Sequence, residues 1–241
     1  MSLQIFPVIL LNARPAAGKS EIIDYLQKTP LAERQQRFHI GKLDIIDDFP
    51  MLWSWFEEDD ILTQMGYPRL HTDKSKRFKW PYLWHLLIER INLEYDKRLR
   101  DRPDYATTYT KIVEFSRGTE HGGYREAYQH LSKPLLEQTA ILYLQVSFEE
   151  SLRKNRARFN PERPDSILEH ALNDEKLKQL YGEDDWETLT AENPEYLEIK
   201  GIRVPYAIFE NEDDVTTARG KALGERLENT LAHLWKRAAQ R

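Results

Sequence analysis

Ala13-Arg14-Pro15-Ala16-Ala17-Gly18-Lys19-Ser20 is the stretch whose reading decides the fold. The residues ahead of it, 5–12, run Ile-Phe-Pro-Val-Ile-Leu-Leu-Asn, an apolar segment of strand length, and behind it Ile22, Ile23 and Leu26 recur at helical spacing. A strand, a turn ending in Gly-Lys-Ser and a helix form the setting in which backbone N–H groups and a helix N-terminus cradle the phosphates of a nucleotide. On this reading residues 13–20 form a phosphate-binding loop, with Lys19 reaching the phosphate charge and the Ser20 hydroxyl holding magnesium. Ala13 stands where the pattern G-x-x-x-x-G-K-[S/T] has its first glycine. A Cβ there is costly if the position needs positive φ. A bland strand-turn-helix corner has no need of Gly-Lys-Ser, and Arg14 and Pro15 argue against a loop built for flexibility alone.

Composition narrows the classes. The 241 residues can bury a substantial core, and one α/β domain with an insertion suits them, spanning residues 1–241. No apolar run approaches the roughly 20 residues needed to span a bilayer, and the first residues lack a secretory pattern, so a cytoplasmic protein without membrane contact is expected. The absence of cysteine excludes disulfides and thiolate chemistry and leaves oxygen or histidine ligands for any metal. A net charge of −5 disfavours a broad nucleic-acid footprint and points to small-molecule chemistry.

Strand and helix patterns alternate along the chain, as in a parallel sheet covered on both faces. Residues 38–46 read as a second strand ending at Asp47-Asp48-Phe49. From Trp80-Pro81 a long helix carries Leu83, Leu87, Ile91, Tyr95 and Leu99 as one apolar stripe. Its opposite face can pack on a second subunit or on the chain's own sheet. Residues 107–115 read as a third strand that delivers Glu114, Ser116 and Arg117 to its C-terminal end. One helix over residues 124–136 and a strand over 140–146 follow. Ser147 with Glu150 suggests a capping box for a helix bearing Arg153, Lys154, Arg156 and Arg158 and ending at Asn160-Pro161. Ser166 with Glu169 suggests another helix, running toward Tyr181-Gly182. The last strand falls at 204–209, followed by Asn211, and Leu223, Leu227, Leu231, Leu234 and Trp235 mark a terminal helix. Residues from about 148 to 200 form a helical insertion.

This order of elements resembles the nucleoside and nucleotide kinases of the P-loop superfamily, with the closest match at the loop itself. The resemblance implies a three-layer α/β P-loop fold with a five-stranded parallel sheet in the order 2-3-1-4-5 and a lid. Asp47-Asp48-Phe49 resembles the segment after strand two in uridine kinases and phosphoribulokinases, where an aspartate serves as base near the acceptor hydroxyl. Glu114 and Arg117 are similar to the acid and arginine that close strand three in deoxynucleoside and thymidylate kinases, although Phe115 and Ser116 intervene here. The stretch from Arg153 to Arg163 looks like their lid over the donor phosphates, and Asn211 takes the place where these kinases contact adenine.

The resemblance therefore implies an ATP- and Mg²⁺-dependent phosphotransferase acting on a nucleoside, a nucleotide or a sugar-like metabolite. Such chemistry needs alignment and charge neutralisation more than covalent help. Lys19 and the loop from Ala13 through Arg14, Pro15, Ala16, Ala17 and Gly18 to Ser20 would hold the phosphates. Ser20 and Glu114 are candidate magnesium ligands, and Asp47, Asp48 and Glu114 share between them the roles of magnesium shell and acceptor base. Arg153, Arg156 and Arg158 would meet phosphate.

Each assignment has a plainer counterpart. Asp47 and Asp48 also suit a helix N-cap and first-turn charge. The arginines suit a solvated helix face paired with Glu149, Glu150 and Glu162. Arg14 suits a solvent-facing position, and His121 a surface histidine. Of Trp53, Trp55, Trp80 and Trp84, most suit core packing, with one lining an acceptor pocket built from residues 49–84. Two other functions fit the loop: an NTPase that switches a partner, and a nucleotide-binding module that has lost catalysis.

Overall fold

The first strand, β1 (Val8–Ala13), is buried at every position because it lies inside a sheet with helices on both faces. The computed structural model describes residues 5–158, 162 and 171–240. The chain continues through α1 (Lys19–Lys28), α2 (Leu31–Phe38), β2 (Lys42–Asp47), α3 (Asp48–Gln64) and α4 (Tyr82–Asp101). Next come the single turn α5 (Tyr105–Thr108), β3 (Tyr109–Phe115), α6 (Gly123–His130), α7 (Lys133–Glu137) and β4 (Thr139–Gln145). Then α8 (Phe148–Ala157), α9 (Asp174–Tyr181), α10 (Trp186–Thr190), β5 (Tyr196–Ile199), β6 (Ile202–Glu210), α11 (Val215–Ala218) and α12 (Lys221–Ala238) complete it.

The sheet has six strands in the order β2-β3-β1-β4-β6-β5, parallel except for β5. The expectation of five parallel strands is corrected at this edge. Ile199 and Ile202 flank Lys200 (φ 53°) and Gly201 (φ 76°), two left-handed residues that make a tight hairpin turn, so the end of the supposed helical insertion folds back as a strand.

Alternation along β1 divides the core. Val8 and Leu10 face a layer with Ile88, Ile91 and Tyr95 of α4 and Tyr124 and Tyr128 of α6, whereas Ile9 and Leu11 face α1 and α12. The α4 stripe is buried at Leu83, Leu87, Ile91 and Tyr95, while Tyr82, Leu86 and Leu93 are exposed. No helix among the described residues is long and apolar enough to cross a membrane.

The structure departs from the sequence reading at several boundaries and at one cap; Thr107 and Thr108, read as strand, close α5 instead. Phe38 ends α2 instead of opening a strand, because its ring is needed in the α1–α12 layer and His39 turns left-handed behind it. The helix expected over 124–136 breaks after His130. Pro134 lacks the N–H a continuous helix requires, and Ser132 restarts the chain by accepting from Leu135 N–H. Ser147 caps α8 as expected, accepting from Glu150 N–H, but its own N–H donates to Glu212 and not to Glu150. Asn160-Pro161, Arg163 and the Ser166–Glu169 cap lie outside the described residues.

Candidate functional site

Three elements remote in sequence pin the β1–α1 loop by its carbonyls. Ala13 O accepts from Tyr124 Oη at 3.0 Å, Pro15 O from Ser151 Oγ at 2.7 Å and Ala17 O from Asn211 Nδ2 at 2.8 Å. The N–H groups of Ala16, Gly18, Lys19 and Ser20 donate to no acceptor among the described residues. Unused donors clustered at a helix entry can receive an anion. The left-handed positions of the loop are Ala16 (φ 57°) and Gly18 (φ 112°). Ala13 is the last residue of β1 and is not among the positive-φ residues, so its Cβ costs nothing there. At Gly18 a Cβ would lie 2.5 Å from Thr216 Oγ1 and 2.9 Å from Asn211 Nδ2, which leaves glycine as the residue that fits.

Lys19 is buried, and its Nζ donates to Ser116 Oγ at 2.8 Å and lies 3.7 Å from Glu114 Oε1. Glu114 on β3 is the register partner of Asp47 on β2, so the two strands end side by side with their carboxylates next to the loop. Burial, then the charges of Glu114 and Asp48, push the Asp47 carboxyl up to about 8. Burial also raises Glu114, with Lys19 opposing it. Asp47 caps α3 by accepting from Phe49 N–H at 2.9 Å, and it has no ion-pair partner among the described residues. The N-cap reading and a place in the site therefore coexist.

Asp48 is fully committed. Its Oδ2 accepts from Arg117 Nη1 at 2.7 Å with both side chains buried. Arg117 also donates to the Ser116 and Trp84 carbonyls, and its guanidinium lies over the Trp84 ring at 5.2 Å. Burial raises the Asp48 carboxyl and Arg117 pulls it back.

One buried carboxylate, Asp48, and two half-buried ones, Asp47 and Glu114, thus gather near Lys19 and Arg117, with Arg158 within electrostatic reach of Glu114. Asp47, Glu114 and the exposed Ser20 hydroxyl offer only oxygen donors, the kind a hard divalent cation such as Mg²⁺ takes.

The arginines of α8 divide. Arg153 is exposed and donates to Glu150 and Asp214, and Arg156 is exposed and pairs with Asp174, so both are engaged by carboxylates. Arg158 is half-buried within the electrostatic reach of Glu21 and Glu114, and its Nε has no partner among the described residues. Arg14 turns from the loop to Asp184 at 2.7 Å and the Val146 carbonyl at 3.4 Å. Asn211 is wholly buried. Its Nδ2 donates to Ala17 O and Thr216 Oγ1 and its Oδ1 accepts from Thr216 N–H, so it braces the loop and has nothing left for adenine.

Beyond Arg117 opens a cavity of about 810 Å³ between α3, α4 and α9. Phe49, Trp53, Phe56, Phe78, Trp84 and Tyr181 form its aromatic walls, and Lys76, Arg77 and Lys176 share its lining with Glu57, Asp60 and Glu120. Two tryptophans line it where the sequence suggested one; Trp55 is buried against His71 and Trp80 is exposed. His121 is a further correction. It is buried, stacked on Trp84 at 3.8 Å, and held down at about 3 by burial and then the Arg117 charge. Its Nδ1 accepts from Gly118 N–H, which places the proton on Nε2, a buried atom with no partner among the described residues.

Ser116, Tyr124 and Ser151 escaped sequence reasoning as site components. Only Ser116 had a signal, its place just past a strand end beside the loop.

No family model matches the sequence, and no curated protein does. One solved structure, described as "Crystal structure of APE1195", is similar over 96% of this chain and 99% of that chain, at 14% identity and a TM-score of 0.41.

Proposed function

We propose that the chain is an ATP- and Mg²⁺-dependent phosphotransferase with a P-loop kinase architecture and a small-molecule acceptor. The observation that carries this reading is the pinned loop: its carbonyls are tied outward by Tyr124, Ser151 and Asn211, while four N–H donors and Lys19 stay at the mouth of α1. These donors would hold the β- and γ-phosphates, with Arg158 closing from α8. Ser20 and Glu114 would hold magnesium, which supplies charge neutralisation when bound.

Asp47 is the best base. Asp48 is consumed by Arg117 and Glu114 faces Lys19, whereas the Asp47 carboxyl titrates near the working pH and forms no ion pair among the described residues, Lys19 acting on it only through its charge. The acceptor hydroxyl would lie between Asp47 and the loop, with the body of the acceptor in the aromatic cavity. The net charge of −5 supports a small molecule over nucleic acid.

A nucleotide-binding module without transfer is the second reading. It is favoured by the carboxylate partners of Arg153 and Arg156, which leave fewer cations over the loop than a closed lid supplies.

The test is ATP consumption with Mg²⁺ across nucleosides, nucleotides and sugar alcohols, with Lys19→Ala as control. Turnover that requires one acceptor class and vanishes in the variant supports the kinase. Nucleotide binding without acceptor-stimulated turnover moves the assignment to the module.

A further inference from the structure

Where α4 meets α6 stands a second cluster of chemistry-bearing side chains. His85 and Glu89 are four residues apart on α4, and Glu126 and His130 are four apart on α6, so each helix presents a histidine and a carboxylate on one face. The ligand atoms of His85, Glu126 and His130 all lie within 4.8 Å of one another. The His85 and His130 rings stack at 4.4 Å.

We propose that this cluster is a binding site for a borderline transition-metal cation of the zinc type, held by His85, Glu126 and His130 between α4 and α6. Two imidazoles and one carboxylate are the donor chemistry such a cation takes, with a fourth position left to water. Hard cations such as Mg²⁺ prefer all-oxygen sites and are excluded by the same donors. Tetrahedral coordination brings donors to about 3.3 Å from one another, so the side chains must close by up to about 1.5 Å. His85 and His130 are half-buried and Glu126 is exposed, so each has room to rotate.

The support around His130 exists without the cation. Its Nδ1 meets Glu89 Oε1 at 3.3 Å, and Asn92 Nδ2 donates to Glu89 Oε2 at 2.9 Å. Asn92 also donates to the His130 carbonyl at 2.8 Å and accepts from Ser132 N–H, tying α4 to the end of α6. A carboxylate on one imidazole nitrogen orients the other toward a metal and raises its basicity, which leaves Nε2 of His130 as the donor. Gly122 completes the fit. A Cβ on it would lie 2.7 Å from Glu126 Cγ, so glycine at this position leaves the carboxylate its place over the helix start.

The experiment uses the full chain stripped with chelator and contains no nucleotide, which makes it independent of the kinase reading. Zn²⁺ is titrated calorimetrically, and Co²⁺ is followed by its visible absorption. The expected result is one saturable equivalent, a Tm that rises with Zn²⁺ but not with Mg²⁺, and loss of that equivalent in the His85→Ala/His130→Ala double variant. Glu89→Gln, which removes only the orienting carboxylate charge, should weaken binding about tenfold. The double variant's Tm without metal, compared with that of the parent, separates a folding defect from a lost ligand. Single-ligand variants His85→Gln and His130→Gln replace it if that Tm falls. Undiminished Zn²⁺ affinity in the folded variants, or no saturable binding by the parent protein, overturns the site.

Discussion

Arg117 Nη1 lies 2.7 Å from Asp48 Oδ2, joining the end of β3 to the start of α3 through a pair whose side chains are only 2% and 8% exposed. The same guanidinium holds the Trp84 carbonyl, so one residue links both strand ends to the wall of the cavity. A buried charge deprived of its partner is expensive. Arg117→Ala should destabilise the chain by about 3–5 kcal/mol, read from urea unfolding. Adding Asp48→Asn should recover part of the loss. Equal stability of the parent and Arg117→Ala would show that the pair does not hold these elements together.

Asp47 gives the molecule a pH dependence of defined sign. Its carboxyl stands at about 8 in the fold against an ordinary 3.8, so between those values the folded chain keeps a proton that the unfolded chain has released. The stabilisation from this group is full below about pH 4 and is lost as pH rises through about 8. The Tm difference between Asp47→Asn and parent should therefore widen in the variant's favour from pH 5 to pH 9. A difference independent of pH contradicts the assignment.

Asn211→Ala removes the brace behind the loop and leaves the Ala17 carbonyl and Thr216 N–H without their partner. A loss of about 1–3 kcal/mol is expected. Nucleotide affinity should fall equally for ATP and GTP, measured by fluorescence titration. A change in the ATP-to-GTP ratio would instead mark Asn211 as a base contact.

His121→Phe preserves the ring against Trp84 but deletes the Nε2 donor. The expected outcome in steady-state kinetics is a raised acceptor KM with an unchanged KM for ATP. An equal rise in both would place His121 in structural packing alone.

Much of the framework was legible because it depends on local pattern. The apolar run before Ala13, the periodic stripe from Leu83 to Tyr95 and the Ser147 cap are all short-range signals, and each appears in the fold. Phe38 misled because a buried aromatic suits a strand and a helix end equally. The hairpin strand Tyr196–Ile199 was missed although Lys200-Gly201 carries a turn signal, because the preceding helical segment dominated the reading. Among candidate site residues, Lys19, Asp47 and Glu114 come together because they sit at the ends of adjacent parallel strands and in the loop beside them. Arg14, Arg153 and Arg156 are engaged by Asp184, Asp214 and Asp174, while Asn211 reaches the loop as a brace on the Ala17 carbonyl.

The sequence by itself determined the strand-loop-helix corner and the end of the sheet at which the acidic residues fall, since burial alternation and turn chemistry act over a few residues. Only the tertiary structure decided which charges are spent and which remain available. That choice is made by partners far along the chain: Asp214 lies 61 positions from Arg153 and Asp48 lies 69 from Arg117. An ion pair depends on the few ångströms between its charges, and no local pattern encodes that distance.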